Sequence, residues 1–94
     1  MVENVLKCKW SLTVLQLVRR GTRRPGAMEH AAPGLTVKVL NERLRKLVRY
    51  GVFSRKVFPE IPPRVEYSLT AFGRKFAGII DSVEKLQKEL NRTG

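Results

Sequence analysis

Three of the five residues from Pro59 to Pro63, PEIPP, are proline, and the runs on either side are rich in β-branched and aromatic side chains. Proline has no amide to donate to a ladder, so this stretch cannot lie inside a strand. Val52–Phe58 precedes it. Arg64–Leu69 follows it, with Val65, Tyr67 and Leu69 alternating with Glu66 and Ser68. That period of two predicts two short strands joined at a stiff tip. Everything else in the 94 residues must then form one small domain around this hairpin, 1–94, with a single core.

Before Gly51 the period is 3.6. In Leu35–Tyr50, Val37, Leu40, Leu44, Leu47 and Val48 share one helical face, and Lys38, Glu42, Arg45, Lys46 and Arg49 share the other. Thr36 is placed to cap this helix, about 36–50, and Gly51 to end it. Upstream, Trp10–Arg20 predicts a helix with Trp10, Val14, Leu17 and Val18 inward and Leu12 and Leu15 broadening the face. A turn carrying Arg19, Arg20, Arg23 and Arg24 leads to Pro25, suited to a first helical position. A short helix over Gly26–Ala32 ends at Pro33–Gly34. Met1–Lys9 is mixed, with Val2, Val5 and Leu6 able to form one helical turn. Two helices joined by a tight glycine-containing turn make a helix-turn-helix. A hairpin at about 52–69 directly after its second helix is a wing.

Thr70 can cap a final helix at about 70–92. Its apolar residues Phe72, Phe76, Ile79, Ile80, Val83, Leu86 and Leu90 run along roughly 30 Å at 1.5 Å per residue. So small a domain cannot cover that length, and a second copy is the simplest partner. Phe76, Ile79, Ile80, Val83, Leu86 and Leu90 are the expected dimer interface. The expected fold class is therefore α+β, mainly α: a winged helix-turn-helix with a long C-terminal dimerisation helix.

The formal charge is +11, and it is uneven. Residues 1–58 hold 13 lysines and arginines against 3 acids, whereas 59–94 hold 6 against 5. A basic front with a balanced tail indicates a polyanion met by one part of the molecule. There is no apolar run long enough to span a membrane and no signal peptide pattern, so no membrane partner is expected. One cysteine permits no internal disulfide, which suits a reducing, cytoplasmic compartment.

Base reading falls to side chains near the start of the 36–50 helix, the end that enters a major groove. Thr36, Lys38, Asn41, Glu42 and Arg45 are the candidates. Arg43, Arg49, Arg23 and Arg24 join them as DNA-binding residues able to neutralise phosphates. Glu42 has two readings, accepting from cytosine N4 or pairing with Lys38, Arg45 or Lys46. Val39 is assigned to packing rather than to a thymine methyl. Arg64, beside the stiff tip, is assigned to a flanking minor groove. Cys8 reads as packing and Trp10 as a core anchor. His30 stands without other ligands at metal spacing, so neither metal nor cofactor is expected. No nucleophile–base pair or phosphate-cradling glycine loop is present, which argues against an enzyme.

Four pieces of the chain resemble the HxlR-type transcription regulators, a branch of the MarR-like winged-helix proteins. They are Lys9–Trp10, Lys38-Val39-Leu40 with Arg43-Leu44-Arg45, Gly51-Val52-Phe53, and PEIPPRVEYSLTAFG at 59–73. The resemblance covers roughly residues 9–90. It implies a homodimer on palindromic operator DNA that responds to a signal, a small molecule or a redox change. Two departures stand out: Cys8 lies where the family has glycine, and Pro25 where it has an aromatic. The redox cysteine of some members thus does not transfer by position. The expected function is a homodimeric, sequence-specific, DNA-binding transcriptional regulator with double-stranded DNA as partner. The alternative is a winged-helix module that docks onto protein or RNA.

Overall fold

The computed structural model describes residues 9–93. Cys8 and the turn expected around Val2, Val5 and Leu6 lie outside the described residues. Helix α1 spans Lys9–Arg19, α2 Pro25–Ala31 and α3 Val37–Arg49; strands β1, Phe53–Phe58, and β2, Arg64–Leu69, follow; α4 spans Ala71–Thr93. The expected α+β winged helix-turn-helix is the observed fold. The strands pair antiparallel from Phe53 opposite Leu69 to Phe58 opposite Arg64, leaving PEIPP as the tip.

Local signals set most boundaries. The Thr36 side chain accepts a hydrogen bond from the Val39 amide at 3.2 Å, capping α3. Gly51 ends it at φ +80°, a conformation that suits a residue without Cβ. Pro25 opens α2, as its fit to a first helical position predicts, because that position needs no amide.

The core gathers all these elements. Val14, Leu15, Leu17 and Val18 of α1 meet Met28 of α2 and Leu40, Leu44 and Leu47 of α3. Phe53 and Tyr67 close it from the sheet, and Phe76, Ala77 and Ile80 from α4. Each such large apolar side chain contributes about 1.5–3 kcal/mol by leaving water. The segment before α2 also touches the sheet, since the Arg23 carbonyl accepts from the Tyr67 amide at 2.9 Å.

The start of α4 is fixed to the end of α3 with little slack. The Thr70 hydroxyl accepts from the Gly73 amide at 2.8 Å and donates to the Gly51 carbonyl. Gly73 passes so close to the sheet that a Cβ there would lie 2.0 Å from the Val52 carbonyl oxygen. The terminal glycine of the 59–73 signature is thus required by close approach of backbone to backbone.

Two expectations about apolar faces are corrected. Val37 is 55% exposed rather than part of the buried stripe of α3, because it stands in the first turn, beyond the edge of what the core encloses. In α4, Phe76 and Ile80 are not available to a partner: they are 2% and 0% exposed, inside the chain's own core. At about 100° per residue, Gly73, Phe76, Ala77 and Ile80 form one stripe, turned to the body. Phe72, Ile79, Val83, Leu86 and Leu90 form a second stripe about a quarter-turn round, and all five are exposed. The expected interface splits accordingly, and Ile79, Val83, Leu86 and Leu90 keep an open face.

Candidate nucleic-acid interface

Burying Leu40, Leu44 and Leu47 turns the opposite side of α3 outward. Lys38, Asn41, Glu42, Arg45 and Arg49 are exposed there, with Thr36 at the cap. Among the described residues, none of those five side chains has a hydrogen bond or ion pair. Of the two readings of Glu42, the pairing with Lys38, Arg45 or Lys46 does not form. Three unpaired cations, an amide and a carboxylate thus stand on one solvent face of one helix.

Arg43 does not stand with them. One residue before the buried Leu44, it lies on the flank of the helix, half-buried, with its Nε enclosed and without a hydrogen-bond partner. Expected as a phosphate contact, it stands beside the outward cations rather than among them. Val39 is half-buried against the core, as its assignment to packing requires. The exposed apolar residue of the first turn is Val37, which the sequence reading placed in the core.

A cleft separates α3 from the wing, lined by Asn41, Arg45, Val48, Arg55 and Tyr67. Arg55 and Tyr67 face each other across the strands. Arg55 was not among the candidates. Its signal was its position on an exposed strand whose neighbours Ser54 and Lys56 are also polar.

The wing tip is arranged differently. Arg64 does not project freely toward a groove. Its guanidinium lies 3.9 Å from the centre of the Phe58 ring, its cross-strand partner. Its Nη2 is 3.3 Å from Glu60, and its Nε is 3.3 Å from Glu66, an ion pair by distance that is not aligned as a hydrogen bond. The same Glu66 oxygen is 3.7 Å from Nε of Arg24, at the cap of α2. Two expected DNA-binding arginines, 24 and 64, are therefore paired inside the chain. Arg23 is exposed beside them and offers its carbonyl to Tyr67.

Arg19 is committed as well. Two hydrogen bonds of 2.7 Å join its guanidinium to both carboxylate oxygens of Asp81. The hydrogen bonds, with the attraction between the charges behind them, hold the Asp81 carboxyl below the usual aspartate value and raise Arg19. This bidentate pair ties the end of α1 to α4 just past its last buried residue.

Among the described residues, no helix is long and apolar enough to cross a membrane.

A family model described as the HxlR-like helix-turn-helix matches residues 5–93. Over 85 residues the chain is 47% identical to sll1512, an uncharacterized HTH-type transcriptional regulator of Synechocystis sp., covering 90% of this chain and 63% of that protein. It is 36% identical over 77 residues to YtcD of Bacillus subtilis, likewise an HTH-type transcriptional regulator, covering 82% of this chain and 61% of that one. The chain thus spans less than two thirds of the length of these two relatives. Among solved structures, a MarR-family transcriptional regulator of Enterococcus faecalis V583 superposes with a TM-score of 0.86 at 32% identity, over 98% of this chain and 84% of that one. The reduced form of YodB from Bacillus subtilis gives 0.82 over 97% and 89%, at an identity of 24% that speaks to fold alone. Matched from residue 5 to residue 93, with helices, wing and long last helix in the shared arrangement, the chain belongs to the HxlR-like helix-turn-helix family.

Proposed function

We propose that the protein is a homodimeric transcriptional regulator that binds duplex DNA, with α3 in the major groove and the wing over the flanking minor groove. The observation that carries this reading is the outer face of α3. Its Lys38, Arg45 and Arg49 are exposed and unpaired, whereas Arg19, Arg24 and Arg64 are held by the chain's own carboxylates. Leaving such charges uncommitted suits a partner that supplies the counter-charge, and phosphates do so with release of counterions. Lys38, Asn41, Glu42 and Arg45 carry the donors and acceptors that base edges require. Val37, exposed in the first turn, suits a thymine methyl. The relatives named as transcriptional regulators support the same reading. For the dimer, the support is the second stripe of α4, where Leu86 and Leu90 are 67% and 65% exposed. Lone apolar residues are ordinary on a surface, but a continuous row of them marks an interface.

The test is titration of Lys38→Ala and Arg45→Ala on a selected operator and on random duplex. Each should weaken operator binding by about 1–3 kcal/mol and random binding far less. Equal losses on both duplexes would remove base reading from α3. A wild-type protein that retains no duplex even at low salt would sink the DNA reading altogether.

A further inference from the structure

We propose that Glu66 is an electrostatic gate, a built-in stand-in for DNA phosphate that holds two wing-side arginines back from the duplex. The inference rests on the DNA-binding reading and concerns how its overall affinity for duplex is set. Glu66 projects from β2 between Arg24, 3.7 Å away at the start of α2, and Arg64, 3.3 Å away on its own strand. Its side chain is 23% exposed and that of Arg64 30%, so water screens this pair less than the one at the tip, where Glu60 is 50% exposed; Arg24, 57% exposed, is held more loosely. Phe58 backs the arrangement, with Arg64 at 3.9 Å from the ring centre and Lys56 Nζ at 4.9 Å. The Glu66 carboxylate supplies the charge of a phosphate without its hydrogen bonds, since neither pair is aligned as one, and so can be exchanged for a phosphate.

The consequence for binding follows from exchange. An unpaired arginine that meets a phosphate gains the full contact, and it does so on any sequence. Arg24 and Arg64 must first give up Glu66, so on any duplex their gain is offset by a broken ion pair. Glu66 thus lowers affinity for duplex of every sequence and leaves discrimination to the base contacts of α3.

The experiment compares Glu66→Gln with Glu29→Gln, which removes the same charge from a residue that has no ion pair among the described residues. Glu66→Gln should elute from heparin at higher salt than Glu29→Gln. On random duplex its slope of log affinity against log salt should steepen by about 0.9 for each arginine newly on a phosphate, and so by about 1.8 at most. Operator and random duplex should gain by a similar factor, since phosphate contacts carry no sequence. Adding Arg24→Ala and Arg64→Ala should erase the whole increment. Glu60→Gln, which loosens only Arg64 and only at the exposed tip, should give a smaller shift in the same direction and guards against misfolding of the first variant. An increment equal to that of Glu29→Gln, one that survives loss of both arginines, or weaker retention would each overturn the gate. Heparin reports release of the arginines even for a protein that binds no duplex, so a failed DNA reading would leave that shift in place while a failed gate would abolish it.

Discussion

The two stripes of α4 are both apolar and have opposite fates. Gly73, Phe76, Ala77 and Ile80 are enclosed by the chain's own α1, α3 and sheet. Ile79, Val83, Leu86 and Leu90, about a quarter-turn round the same helix, stand exposed. Hydrophobicity is shared by both stripes, so it does not distinguish a residue that builds the domain from one that the domain leaves exposed. What distinguishes them is reach. The body of the molecule is short, and the helix leaves it just after Ile80, stretching the molecule to 54 Å in its longest direction against 29 and 20 Å in the others.

The sharpest way to break the comparison is to truncate one residue from each stripe. Phe76→Ala should cost about 3–5 kcal/mol, because the ring is enclosed and a cavity remains. That loss should be the same at every protein concentration in denaturant unfolding. Leu86→Ala should lower the midpoint only through association, and so in a concentration-dependent way. If both variants lose stability independently of concentration, the second stripe is not an interface.

Next in size is the association itself. Val83→Glu combined with Leu86→Glu should give monomers by light scattering with the fold of the body intact by near-ultraviolet dichroism. Ile80 is unsuited to this test, since a charge there would unfold the core. A double variant that stays dimeric would place the interface elsewhere.

The smallest effect sharpens the boundary between the stripes, where Asp81 meets Arg19. Asp81→Asn should cost at most about 1 kcal/mol, since the pair is well aligned but partly exposed. Arg19 lowers the Asp81 carboxyl in the folded state, so this contribution is present above the ordinary aspartate value of 3.8 and fades as pH falls through the lowered one. Acid unfolding of the wild type should show that extra sensitivity, and Asp81→Asn should lack it. Identical acid profiles would mean the pair contributes nothing in solution.

Much of this architecture was legible in the sequence because its signals are local. Thr36, Gly51 and Thr70 act within a few residues of where they stand, and PEIPP cannot be anything but a connection between strands. The division of the α4 stripe was not legible, since periodicity gives the angle of each side chain without saying which angle the body will meet. Nor was Arg19 with Asp81, whose partners are 62 residues apart. The pairing of Arg64 did have a signal. Residues two apart on a strand share a face, so Glu66 beside Arg64 foretold a neutralised arginine rather than a free one. Val37 was misplaced because its spacing fits the stripe, while the first turn of a helix sits at the edge of what the core can enclose.

Past Ile80, no described residue of α4 is buried, and what remains is about three and a half turns. A lone helix of ~12–15 residues is only marginally stable in water. Under the proposed dimer, a chain without its twin therefore carries a fraying tail, with Lys85, Lys88 and Arg92 open to any protease that cuts after basic residues. Pairing closes that tail. Survival of the protein then depends on its own abundance: scarce chains are trimmed before they meet, and plentiful ones protect one another.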